Sequence, residues 1–458
     1  MIYQIVTYTN RKPERLFLLQ EVITVELLAI IGAAIVLAFI GAAILRKVGI
    51  PQTLGFMLAG VALGIIGVLT DEAVQSLSIF VSLALGLIGY NIGHELQSDN
   101  LDGRLRKLTF IVIIEASAAF LLVTLLTYLL TQQLHVAFIF GAIASATAPA
   151  ATADVVWECE TQGPLSSSLM FVLAADDIIA VILTNSALAY ALWVYLPESA
   201  TLLDVVLVPV FNIGGSAILG IIFGVLFLKA VDLERDRGRL LELELGMVIL
   251  LIGVVTTLGM SDIFAAMVFG FIVGKYIPKD TEPVPQLLQR IMAPVLMIFF
   301  ALVGARMFHL LTITTALQTI IITAILYLLG RTVAKYFGAR LGSTIVGESD
   351  NLKKYLGSCL FCQAGVALGL SFIIEEQFVA LGGAAAEIGI LVLGVVALST
   401  MVLEAVGPIA VKQSLKKAGE LPEDGDIFDP RDVVRADLSS IADQMNNHPD
   451  DESDTGQH

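Results

Sequence analysis

Two adjacent aspartates, Asp176 and Asp177, stand in the apolar run LMFVLAADDIIAVILTNSAL. They lie 11–12 residues into a segment that starts near 165. At about 1.5 Å per helical residue that is about 17 Å along the axis, close to the midplane of about 30 Å of hydrocarbon. An ionisable group at that depth costs at least about 2.5–3.5 kcal/mol on insertion scales, and a second one about doubles the cost. Acids satisfied by hydrogen bonds alone are a poor explanation for such a pair. Successive helical residues point about 100° apart, so the two carboxylates have different surroundings and different tasks. Low dielectric and a like-charged neighbour both favour a protonated carboxyl. A carboxylate that holds either a proton or a hard monovalent cation, but not both, is a minimal exchanger.

Basic charge is also embedded. Arg331 and Lys335, in LLGRTVAKYFGARLGS, are spaced i, i+4 and share a helix face. Lys335 is a candidate partner for Asp176. Snorkelling toward the end marked by Arg340 is the competing reading for both bases, and the sequence leaves open which of them pairs with Asp176. A third group is Thr147, Pro149 and Thr152 in SATAPAATAD. Pro149 lacks a backbone N–H and frees a carbonyl, and the two hydroxyls can complete a cation's shell. Asp154 follows one turn later, as a funnel residue or an ordinary helix-end acid. Glu115, Asn91 and Gln363 are embedded too and form a second tier with Asp154 and Pro149.

These residues need membrane-spanning helices to hold them. Hydrophobic residues make up 57% of the 458 positions, charged residues 15%, and mean hydropathy is +0.87. A soluble domain carries about 25% charged residues. Apolar runs long enough to span recur near 23–46, 51–69, 76–96, 107–131, 134–157, 165–195, 201–230, 240–258, 262–277, 285–305, 309–341, 353–375 and 384–411. The expected fold is therefore all-α and integral to the membrane, with about thirteen spans. The start of the chain is charged and lacks a small-residue cleavage site, so no removable signal peptide is expected.

Charge distribution orients the parse. With the N-terminus outside, 17 basic residues fall in the odd-to-even connections and the proximal tail, against 4 on the other side. That bias places the C-terminus in the cytoplasm. Three domains follow: an extension over 1–22, a transmembrane domain over 23–412, and an acidic tail over 413–458 that reads as disordered. Much of the net charge of −16 belongs to that tail, where Glu420–His458 holds 12 acids and 2 bases.

Thirteen spans resolve into two six-helix halves separated by one helix, which gives an inverted repeat. Under that pairing the fifth span, with SATAPAATAD, corresponds to the twelfth, with CQAGVALG. Matched broken helices in two halves point to a transport site. The three cysteines exclude a disulfide framework, and Cys359 and Cys362 read as small packing residues, with no second pair of zinc ligands nearby. No nucleophile–base set and no glycine-rich phosphate loop is present, so an enzyme is not expected.

At these residues the chain resembles the monovalent cation/proton antiporter superfamily, in its sodium/hydrogen exchanger branch with paired aspartates. The resemblance covers about residues 25–418 and rests on ATAPAATADVVWE, GPLSSSLMFVLAADDIIAVI, the segment Lys335–Gly338, FCQAGVALGLS and EAVGPIAVKQSLKKAGE. It implies that Asp177 carries cation and proton, that Asp176 pairs with Lys335, and that two broken helices cross at the site. It further implies a homodimer in the cell membrane, elevator-type alternating access, and electrogenic exchange of about two protons per Na+ or Li+. No cofactor and no nucleic acid is expected. Potassium/proton exchange and a passive monovalent cation channel are the competing functions. Cys362-Gln363-Ala364 stands where relatives often carry a basic pattern.

Overall fold

The computed structural model describes residues 12–47, 50–96, 104–159, 161, 163–196, 203–233, 237–277, 283–313 and 317–421. The start of the N-terminal extension and the acidic tail beyond Leu421 lie outside the described residues. So do the side chains of Lys12, Arg15 and Asp154.

Every regular element among the described residues is a helix, as a bilayer demands of a chain that must satisfy its own backbone polar groups. In chain order they are α1 (Lys12–Arg46), α2 (Gln52–Ile65), α3 (Asp71–Ser76), α4 (Ile79–Glu95) and α5 (Leu105–Thr131). Then come α6 (Leu134–Ala144), α7 (Pro149–Glu158), α8 (Pro164–Tyr195), α9 (Asp204–Leu233), α10 (Arg237–Thr257) and α11 (Asp262–Tyr276). The last are α12 (Pro283–Ile313), α13 (Leu317–Ile345), α14 (Asp350–Cys359), α15 (Gly365–Leu381) and α16 (Gly383–Ala418). Each of the thirteen apolar segments overlaps at least one of these helices. Eight helices among the described residues are long and apolar enough to cross a membrane unaided, and α2, α4 and α6 are shorter apolar helices.

Two segments are split, and both splits have a local cause. Pro149 opens α7; it has no N–H to continue α6 and holds Ala148 out of the helical region. The other break runs over 360–364, with Ala364 at φ −153° and ψ −120° before Gly365 restarts the chain as α15. The breaks meet: the Ala148 N–H donates to the Cys362 carbonyl at 3.1 Å.

Packing sorts the helices into two layers. In one, α5 packs on α13 and α6, α8 on α6, α14 on α13 and α16, and α15 on α16. In the other, α2 packs on α1 and α12, and α4 on α11. α9 touches both α8 and α11. Small residues allow the close crossings, since lipid gives helices no hydrophobic drive to associate. A Cβ on Gly60 of α2 would strike the Ala301 carbonyl of α12, and one on Gly304 of α12 would strike the Met57 carbonyl of α2. α4 and α11 cross in the same way at Gly93 and Gly270. Toward lipid the molecule exposes Val36, Phe39 and Ile44 on α1 and Leu207, Val210 and Phe211 on α9.

Among the described residues, the following contacts join helix ends that lie on one side of the thirteen-segment parse. On one side Arg104 bonds Glu348 at 2.8 Å, and the Asn351 amide donates to the Ala418 carbonyl at 3.0 Å. On the other, Arg306 bridges Asp71 at 2.9 Å and Glu375 at 2.6 Å. α16 continues to Ala418, and Glu420 just beyond it is docked. Its carboxylate accepts the N–H groups of Leu165 (2.7 Å) and Ser166 (2.8 Å) at the start of α8, plus the Ser166 hydroxyl (2.7 Å). Those N–H groups have no intrahelical acceptor, and their positive end of the helix favours a carboxylate.

Candidate functional site

The two breaks leave carbonyls without helical partners inside a bundle that excludes water, and basic side chains from α13 fill that demand. Arg331, fully buried, donates to the carbonyls of Phe361 (2.8 Å) and Cys362 (3.1 Å) from one break and Ala146 (2.7 Å) from the other. One guanidinium thus staples both broken helices, a task for which its planar fork of five donors is suited. This corrects the expectation that Arg331 could serve Asp176: none of its bonds among the described residues goes to a carboxylate.

One turn along α13, Lys335 is equally buried. Its Nζ lies 2.7 Å from Asp176 Oδ2 and 3.0 Å from Glu115 Oε2, and it donates to the Ser145 carbonyl at 2.5 Å. The snorkelling alternative does not apply to either base. Glu115 on α5, placed in the second tier from sequence, shares the ammonium with Asp176.

Thr147 stands in the first break. Its hydroxyl donates to Asp176 Oδ2 at 2.8 Å and its N–H to Asp177 Oδ1 at 3.3 Å. The two aspartates have different surroundings, as their 100° separation requires. Asp176 is tied to a lysine and a hydroxyl. Asp177 has one oxygen on a backbone N–H and no base bonded to it among the described residues; its Oδ2, like Oδ1 of Asp176, is buried there with no hydrogen-bond partner. The Thr152 hydroxyl on α7 is likewise buried without a hydrogen-bond partner there. Pro149 is the first residue of α7, at the end of the break.

Gln363, in the second break, donates to the Tyr327 hydroxyl at 2.8 Å and to the Ile143 carbonyl at 3.2 Å. Sequence reasoning missed Tyr327, although 327, 331 and 335 share the four-residue spacing that stacks side chains on one face. Asp154 lies on α7. Asn91 is half-buried on α4, whose main neighbour is α11 in the other layer. No group of three or more His, Cys, Asp and Glu able to hold a metal occurs among the described residues.

Residues 35–412 match the family of sodium/hydrogen exchangers, transmembrane. The chain belongs to the sodium/hydrogen exchanger family. This exchanger is accordingly a multi-pass membrane transporter of the monovalent cation/proton antiporter superfamily, coupling cation movement to protons, and not an enzyme. Its fold is that of the sodium proton antiporter MjNhaP1 from Methanocaldococcus jannaschii. The structure of that protein at pH 8 superposes with a TM-score of 0.70 at 17% identity, covering 86% of this chain and 98% of that one. A structure of the same antiporter from an electron-microscopy map gives 0.65 at 18% identity, covering 88% and 98%. Sequence comparison with curated proteins finds no match.

Proposed function

We propose that this exchanger moves sodium or lithium against protons, with the two ions competing for Asp177. The observation that carries the reading is that Asp177, with Oδ2 buried and unsatisfied, is the carboxylate of the cluster to which no base is bonded among the described residues, whereas Lys335 holds Asp176 and Glu115. Charge supports it. With every group ionised, the carboxylates of Glu115, Asp176 and Asp177 face only Lys335 and Arg331, so the cluster is one positive charge short. A buried uncompensated charge is costly. One proton or one monovalent cation completes the balance, and both at once overshoot it. The Thr147 and Thr152 hydroxyl oxygens are the further ligands. Asp176, held by Lys335 and Thr147, fixes the break in place.

The proposal includes the finer features implied by the paired aspartates. Exchange is electrogenic, with the second proton handled by the Lys335–Asp176–Glu115 group. The layer that holds α5, α8 and α13 contains the whole cluster, so it moves as the carrier in elevator fashion against the α2–α12 layer. The reciprocal glycine crossings at Gly60–Gly304 and Gly93–Gly270 support an inverted six-helix repeat. The protein is a homodimer in the cell membrane with its N-terminus outside and its C-terminus cytoplasmic.

The test uses proteoliposomes with an imposed pH gradient, to which sodium, lithium and potassium are added in turn. Sodium or lithium should collapse the gradient with wild type and not with Asp177→Asn. Collapse by potassium alone replaces the ion in this reading. A fully active Asp177→Asn, or cation current without proton movement, overturns it.

A further inference from the structure

A cavity of about 280 Å³ lies at the boundary of the two layers, away from the aspartate pair. It is walled by α8, α9, α15 and the connection that opens α11, and its polar lining is Thr184, Asn185, Asn212, Ser261, Asp262 and Gln377. Thr184 follows Asp177 by seven residues on α8, two turns and about 10 Å along the same helix face. At about 30 Å³ per water molecule the space accommodates a monovalent ion with its first waters.

Its charge is unbalanced. Asp262 is 7% exposed, and among the described residues no Lys, Arg or His lies within ion-pair distance of it. One oxygen, Oδ1, accepts the Ile263 N–H at 2.8 Å. The charged neighbour that acts on it is Glu376, an exposed acid of the same sign. The Thr184 hydroxyl, 3% exposed, is buried with no hydrogen-bond partner among the described residues. The Asn185 amide donates to the Val181 carbonyl at 2.8 Å, which leaves its oxygen as the group to meet a ligand. A buried carboxylate without a cation, ringed by hydroxyl and amide oxygens, is costly as it stands and suits a partly hydrated monovalent cation.

We propose that this cavity is a second, transient cation site: a vestibule in which Asp262 and Thr184 hold the transported monovalent cation on its way to or from Asp177. The connection at 258–262 lies on the side of the parse that also carries Asp71, Arg306 and Glu375, opposite the Glu420 side. The vestibule therefore serves one face of the membrane only. The inference rests on the exchanger reading and adds to it a residue that sets apparent affinity from that face.

The test is exchange by proteoliposomes with the cation presented from each face separately, comparing wild type, Asp262→Asn, Asp262→Glu and Thr184→Val. Asp262→Asn should raise KM for the cation three- to tenfold from the 258–262 face, by more than kcat changes, and leave KM from the other face within twofold. Thr184→Val should shift it the same way by less, and Asp262→Glu should restore most of the affinity. The Asp262→Asn effect should shrink at high ionic strength, which screens a recruiting charge. If Asp262→Asn does not fold, the Thr184→Val and Asp262→Glu profiles decide by the same criterion. Unchanged KM, or KM raised equally from both faces, overturns the vestibule while active wild type leaves the exchanger reading standing. Wild type that exchanges no cation overturns the exchanger reading and the vestibule with it.

Discussion

Lys335 holds Asp176 at 2.7 Å with both side chains fully buried, and the same ammonium reaches Glu115 and the Ser145 carbonyl. One positive charge on α13 thus fastens α5, α8 and the first helix break together. Removing one partner of a buried pair leaves the others uncompensated, at a cost of about 3–5 kcal/mol. Lys335→Met should therefore lower the thermal midpoint of the purified protein clearly, whereas Lys335→Arg, which keeps the charge, should lower it less. Fluorescence-monitored unfolding in detergent checks both; equal midpoints for Lys335→Met and wild type would count against a structural lysine.

Asp177 should behave in the opposite way. Its Oδ2 has no hydrogen-bond partner among the described residues and no base is bonded to it, so Asp177→Asn relieves a buried charge. Stability should be kept or increased while exchange falls below detection. In wild type the apparent KM for sodium should fall as pH rises, approaching tenfold per unit where the proton dominates the site, because a deprotonated carboxylate is the form that takes the cation. Initial rates across pH, beside melting curves, test this pair of outcomes.

Arg331→Lys is not a mild change here. The guanidinium serves three carbonyls from both breaks, and an ammonium cannot reproduce that fork. With each orphaned buried acceptor costing about 1–3 kcal/mol, loss of about 2 kcal/mol or more is expected, with lower expression and exchange. A melting curve indistinguishable from wild type would refute the staple.

Glycines at the helix crossings differ sharply from glycines elsewhere. Gly60→Ala would drive a Cβ into the Ala301 backbone and should abolish well-folded protein. Gly253→Ala meets nothing within 4 Å on α10 and should be neutral or stabilise by about 0.5–1 kcal/mol. Size-exclusion profiles of the two variants provide the comparison.

Deleting residues 422–458 should leave the melting curve unchanged, since Glu420 keeps its place at the start of α8. Deleting 420–458 should destabilise by about 1 kcal/mol, as loss of a helix cap does. Identical melting curves for the two truncations would show that Glu420 contributes no cap.

The sequence by itself determined the helical membrane class, the positions of the thirteen apolar segments and the two breaks. Each follows from local chemistry: hydrocarbon thickness sets the run length, and Pro149 or the Gln363–Gly365 stretch interrupts it. It also determined that Asp176, Asp177, Arg331 and Lys335 are costly where they stand and therefore need partners. Which partners they found was decided only by the tertiary structure, because a partner depends on which helices cross and at what height. Arg331 and Lys335 look equivalent one turn apart, yet one faces the carbonyls of both breaks and the other faces Asp176 and Glu115. Glu420 reads as the first acid of a solvated tail, and docks because α16 ends beside the Leu165 and Ser166 N–H groups, which have no acceptor within α8. Asp262 is not singled out by the sequence, and becomes notable because α8, α9 and α15 close a cavity over it with no base within ion-pair distance among the described residues.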